Sequence, residues 1–217
     1  MARRACVGAL FFFYLQDYLG IGNKFAHIQI IALLMGIMGT FFWLRVMLWI
    51  GKHHSLAIAC ASTLLTLIGM ALVRPGPEAF PMIFVLFAVS AFSSAGNEAA
   101  GWSMMADVVD YGTLKTGERH AGNYFAVMSF TSKVSLAAGG GLALIIAGLF
   151  GFSAEHSNGR AAMRGFFLAF IVIPLILNGA ASLLAYGFPL DPRRQEIVRR
   201  RIQGRAGARL SSAAPLM

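Results

Sequence analysis

Charge is scarce in this sequence. Only 12% of its 217 residues are Asp, Glu, Lys or Arg, 58% are hydrophobic, and the mean hydropathy is +0.69. A water-soluble domain carries roughly 25% charged residues to cover its surface, so a soluble fold is excluded. Cysteine is scarcer still. Cys6 and Cys60 lie in apolar runs, and two unpatterned cysteines make neither a disulfide framework nor a metal site. His53 and His54 are adjacent but lack a third ligand nearby, so no metal is assigned to them. P-loop, G-x-S-x-G, H-E-x-x-H and dinucleotide signatures are all missing, which argues against an enzyme and against a bound cofactor. Alternating segments of about ten residues are missing too, which excludes a membrane β-barrel.

What is present is a series of apolar stretches, at about residues 5–20, 26–50, 54–73, 79–105, 121–152 and 163–188. A membrane-spanning helix needs about 20 apolar residues. Five stretches satisfy that, and the first is short. The opening MARRACVGALFFFYLQDYLG imitates a signal peptide but has no convincing small-x-small cleavage site, so it reads as a shortened membrane helix. Backbone groups inside a bilayer must be satisfied within the chain, so the expected fold is an all-α bundle of six transmembrane helices over residues 1–190. Residues 191–217 form a basic cytoplasmic tail expected to be disordered, with seven arginines after Pro192. No aromatic residues interleave those arginines, so nucleic acid is not the expected partner; anionic lipid headgroups are.

Basic residues also set an expected orientation. Arg3, Arg4, Arg45, Lys52, Lys115, Arg119 and the seven tail arginines fall on one side, thirteen in all. Lys24, Arg74, Arg160 and Arg164 fall on the other. The positive-inside rule puts the first group in the cytoplasm, with both termini, as an even number of spans requires. The expected location is a bacterial inner membrane.

Few ionisable residues interrupt the apolar stretches, and a charge at the bilayer centre costs at least about 2.5–3.5 kcal/mol. Lys133, about 18 Å along its helix at 1.5 Å per residue, is the deepest. It reads as a substrate or coupling residue lining a cavity, or as a lysine paired for assembly. Glu98 falls at a similar depth and is a candidate partner for it. Asn97 and Trp102 complete a polar-aromatic cluster on the same span; the indole suits stacking on a sugar or plain packing. Asp107 and Asp110, spaced i, i+3 at the boundary, suit either cation binding or bracing through Lys115 and Arg119, and bracing is the favoured reading. Asp17, with Tyr14, Gln16 and Tyr18, marks a vestibule or a polar helix end.

The segment Ala106-Asp107-Val108-Val109-Asp110-Tyr111-Gly112-Thr113-Leu114-Lys115-Thr116-Gly117-Glu118-Arg119, followed by Gly122 and Lys133, resembles the glycoside–pentoside–hexuronide:cation symporters. This family, typified by the melibiose permeases, belongs to the major facilitator superfamily. Its A-D-x-x-D-Y-G-x-x-x-T-G-x-R stretch joins the tenth and eleventh helices, and a lysine follows on the eleventh. Thr113 stands where the family often has an acid. Leu48-Trp49-Ile50-Gly51-Lys52-His53 is similar to the family's basic G-K loop after the eighth helix.

By this resemblance the six spans correspond to the seventh to twelfth helices of a major facilitator fold. Lys133 would lie at the sugar and cation cavity, and Asp107, Asp110, Tyr111, Gly112, Lys115 and Arg119 would form a cytoplasmic gate and brace. The resemblance implies cation-coupled symport of a sugar or glycoside by alternating access, driven by Na+ or H+. The main cation site and most sugar ligands would lie in an N-terminal six-helix half as partner. Alternatives are a non-transporting scaffold or half-transporter needing a partner, and a transporter of another solute such as a lipid.

Overall fold

The computed structural model describes residues 1–76, 78–118, 120–153 and 158–186. The tail from 191 onward lies outside them. Helix α1 (Ala2–Phe13) runs on as a π turn, Tyr14–Tyr18. A short 3-10 turn, Gly22–Lys24, leads into α2 (Phe25–Ile50), followed by α3 (Lys52–Leu72), α4 (Ala79–Thr116) and α5 (Ala121–Leu149). The last run is α6 (Arg160–Phe167), a π turn (Leu168–Val172) and α7 (Ile173–Tyr186). There is no strand among the described residues. Five of these runs are long and apolar enough to cross a bilayer, and α1 with its π turn is the shorter sixth.

Two helix ends follow from glycine. Gly51, at φ 85 and ψ 161, is the single residue between α2 and α3, in a conformation closed to side chains with a Cβ. Gly117, at φ 79, caps α4 in the left-handed region while its N–H donates to the Thr113 carbonyl at 2.9 Å. The polar stretch from Tyr111, which reads as a long connection in sequence, is therefore helical as far as Thr116. Nothing between Asp107 and Thr116 breaks a helix: there is no proline, and the polar side chains project from its cytoplasmic-expected end.

Helix α4 is the mast of the bundle. It packs extensively on α2 and α3, while α1 packs chiefly on α5, and α4 touches α5 only sparingly. Small residues permit the closest approaches. A Cβ on Gly39 would meet the Phe92 carbonyl at 2.7 Å, and one on Gly139 would meet the backbone of Ala2, with Ala2 Cα at 2.9 Å. Where the helices converge, an aromatic core forms. Phe11 stacks on Phe87 at 3.9 Å and Tyr14 on Phe170 at 4.6 Å, and the fully buried Tyr14 hydroxyl donates to the Met70 carbonyl at 2.6 Å. The π turn ending at Val172 directly precedes Ile173 and Pro174. Proline has no N–H and crowds the carbonyl four residues back, so a widened turn there accommodates it.

Candidate functional site

At the expected cytoplasmic end, the turn at Gly51 delivers Lys52 to α4. Its ammonium donates to both oxygens of Asp107, at 2.6 and 2.7 Å, and to the Ser103 carbonyl at 3.3 Å. Asp107 is only 7% exposed, so the pair is largely removed from water. The partner of Asp107 is thus Lys52 on α3. Lys115 is exposed on the far turn of α4, and Arg119 lies outside the described residues. Asp110 is half-buried one turn along from Asp107, and Tyr111 is exposed. Gly112 faces α5: a Cβ there would come within 2.6 Å of the Tyr124 hydroxyl, so the absent side chain is what lets Tyr124 lie across α4. Past the cap, Nε2 of His120 lies 2.9 Å from a carboxylate oxygen of Glu118.

The second cluster lies halfway along α4. Glu98 forms an ion pair with Arg4 of α1, and Arg3 donates to the Ser94 hydroxyl at 3.0 Å. These contacts put Arg3 and Arg4 beside the middle of α4, and Ala2 beside Gly139 in the middle of α5, rather than at a membrane rim. Glu98 therefore meets Arg4 and not Lys133. The reason is angular. Gly139 marks the face of α5 that packs on α1, and Lys133, six residues earlier, is rotated by about 240° at 100° per residue. Lys133 is exposed on the outer side of α5.

Two cavities flank the Arg4–Glu98 pair. One of about 680 Å³ opens between α1, α2 and α4, and Gln29, Thr40 and Ser90 add polar groups to its wall. Another of about 370 Å³ lies between the start of α1 and α3, α4, α5 and α7. Arg3, Arg4, Ser94, Glu98 and Trp102 line both. Trp102 stacks against Phe125 with centroids 6.2 Å apart, which bridges the loose α4–α5 seam. Asn97 turns toward α3, accepting from the Cys60 thiol at 3.2 Å and donating to the Thr63 hydroxyl at 3.3 Å. Asn178 of α7 donates to the Cys60 carbonyl at 3.2 Å, so one polar chain links three helices. Among the described residues no three His, Cys, Asp or Glu converge on a metal-binding point.

Of the residues singled out from sequence, Glu98, Asn97 and Trp102 come together at mid-bundle and Lys133 stands apart. Sequence reasoning counted Arg3 and Arg4 among the cytoplasmic charges, whereas the structure sets them at mid-bundle, and it missed Cys60, Thr63 and Asn178 as site residues. A lone acid such as Glu98 in an apolar span demands a basic partner, and the arginines of a span too short to begin at the rim were the available signal. Asn178, isolated in Pro174-Leu175-Ile176-Leu177-Asn178-Gly179, carried a similar one.

Apolar helices closing around an ion-paired, polar interior define a multi-pass membrane protein. The chain belongs to the MFS/sugar transport protein family, whose model matches residues 1–192; it is a family of transporters, not enzymes. It is 24% identical over 160 residues to the uncharacterized symporter YnaJ of Bacillus subtilis, covering 72% of this chain and 34% of that protein. It is 29% identical over 119 residues to the glucuronide carrier protein homolog of Escherichia coli, covering 54% and 26%. It is 24% identical over 193 residues to the isoprimeverose transporter of Lactiplantibacillus pentosus, covering 88% and 39%. The chain thus matches between a quarter and two fifths of the length of these relatives.

Proposed function

We propose that this chain forms the C-terminal six-helix half of a cation-coupled sugar or glycoside symporter that works by alternating access. The observation that carries the reading is the exposed Lys133. An ammonium part-way along a spanning helix is costly against lipid tails, so that side of α5 is suited to a water-filled path or to another protein body. Alternating access needs such a second body, because the site lies between two bundles that rock against each other. The partial coverage of full-length relatives, among them a putative glycoside/cation symporter of Escherichia coli at 42%, supports the same division.

In this reading the sugar enters the space between the halves. Lys133 supplies a hydrogen-bond donor and a charge there, while Glu98, Asn97 and Trp102 line the cavities on the α4 side of the bundle. Asp107, Asp110, Tyr111, Gly112, Lys115 and Arg119 form the cytoplasmic gate and brace, with the Lys52–Asp107 pair as its fixed part. Na+ or H+ is the co-transported ion, its main site being in the N-terminal half. The C-terminal end of the chain faces the cytoplasm of a bacterial inner membrane, as the basic tail favours, while the start of α1 sits at mid-bundle.

The test is uptake of labelled galactosides, pentosides and hexuronides into vesicles carrying this chain either alone or joined to an N-terminal half. Uptake is expected only with the joined protein, with a dependence on a Na+ or H+ gradient, and Lys133→Ala should abolish it. Undiminished uptake by Lys133→Ala removes that residue from the mechanism. Failure of every sugar with the joined protein would favour another solute or a scaffold.

A further inference from the structure

At the opposite end of the bundle from Lys52, α6 opens the last membrane span with two arginines one turn apart. Arg160 and Arg164 are both exposed, and neither has a hydrogen bond or ion pair among the described residues. This is unusual company for a membrane helix. A bilayer-facing arginine needs an acceptor, and the positive-inside tendency disfavours basic residues at the end assigned to the outer face.

Below the arginines the same side of the helix turns apolar without changing register. Positions 160, 164, 168, 172 and 176 are exposed in succession, as Arg, Arg, Leu, Val and Ile, with Leu168 at 38%, Val172 at 40% and Ile176 at 63%. Met163 and Phe167 form a flanking wall, and together with the first four positions of the stripe they line a groove of about 450 Å³. The wall is held in place: Phe167 packs edge-on against Tyr18 at 4.6 Å and against Tyr14 at 6.5 Å. The span runs from Arg160 to Leu183, so Arg160 sits at its mouth. Arg164 lies about 6 Å further in at 1.5 Å per residue, within reach of the headgroup layer by snorkelling.

We propose that this groove is a binding site for an anionic phospholipid. The two guanidinium groups hold the phosphodiester, and one acyl chain lies along Leu168, Val172 and Ile176. Charge decides the occupant, since a pair of arginines with no carboxylate partner among the described residues, set above an apolar stripe, complements an anion joined to a hydrocarbon chain. Guanidinium groups bind phosphate oxygens through charge-assisted hydrogen bonds that a zwitterionic headgroup offsets with its own ammonium. The site is separate from the Glu98 cavity, and it stands whether or not the chain carries a sugar.

Native mass spectrometry of the full chain in a neutral maltoside detergent, titrated with dioleoyl-phosphatidylglycerol, tests this. One tight lipid adduct is expected, with dioleoyl-phosphatidylcholine bound at least tenfold more weakly. Arg160→Ala/Arg164→Ala should weaken the phosphatidylglycerol adduct about 30-fold, roughly fivefold for each arginine, with helical circular dichroism unchanged. The Arg160→Lys/Arg164→Lys protein should retain binding within about threefold. Equal binding of the two lipids, or an unaltered adduct in the double alanine variant, overturns the proposal. Competition by inorganic phosphate or glycerophosphoglycerol at the concentration of the lipid also overturns it, because the groove would then read a free anion and ignore the chain.

Discussion

Single residues in this protein differ in what their neighbours can yield. Lys52 and Asp107 are each other's main compensation in a place with little water, so removing one strands the other. Asp107→Ala should destabilise the bundle by about 3 kcal/mol, the lower end of the range for a broken buried pair, because Lys52 keeps 23% exposure. The Lys52→Met/Asp107→Leu double variant should cost less than Asp107→Ala alone. Thermal unfolding in detergent reads both, and strictly additive losses would count against a coupled pair. Two glycines make a sharper contrast. An alanine at Gly112 meets the tip of a tyrosine, which can swing away, so Gly112→Ala should cost about 1 kcal/mol and Tyr124→Phe should restore it. An alanine at Gly139 meets the main chain of α1, which has no such freedom. Gly139→Ala should cost several times more and have no single-residue rescue by a smaller side chain, as measured by the same unfolding assay.

Among elements, α4 is the instructive case. Its apolar half was legible because hydrophobic runs must be helical in a bilayer. Its polar half was not, because Asp, Tyr, Thr and Lys are equally at home in a loop, and only the glycine at 117 marks the true end. Gly117→Ala should cost about 1 kcal/mol, and Gly117→Asn less, since asparagine tolerates the left-handed cap better. Equal losses for both would mean that the backbone angle is not what matters there. Bundle membership and the approximate helix number could be read from the apolar runs alone. The pairing of Glu98 could not. Depth along a helix is a count of residues, but which face a residue presents depends on which neighbour packs there, and α1 packs on α5 along a face that turns Lys133 outward.

For the whole molecule, the loose seam between α4 and α5 and the tight packing of α4 with α2 and α3 mean that the bundle is not equally rigid throughout. The orientation is open to direct measurement. A fluorescent protein fused after residue 217 should glow and an alkaline phosphatase fused there should stay silent, as the proposed cytoplasmic placement of the C-terminus requires. An active phosphatase would invert the arrangement, putting the Lys52–Asp107 brace outside.

The pairing of Arg4 with Glu98 also has a consequence for how the chain is made. The two residues are separated by 94 positions. At about 5–20 residues per second, the ribosome reaches Glu98 roughly 5–20 s after it has passed Arg4. During that interval α1 is a short segment burdened with arginines, each opposed to insertion by up to about 2.5–3.5 kcal/mol near a helix centre. It has every reason to linger at the translocon or the headgroup layer, and to sink to its final depth only when α4 arrives with the counter-charge. The first of the helices described here to be synthesised is then among the last of them to be seated.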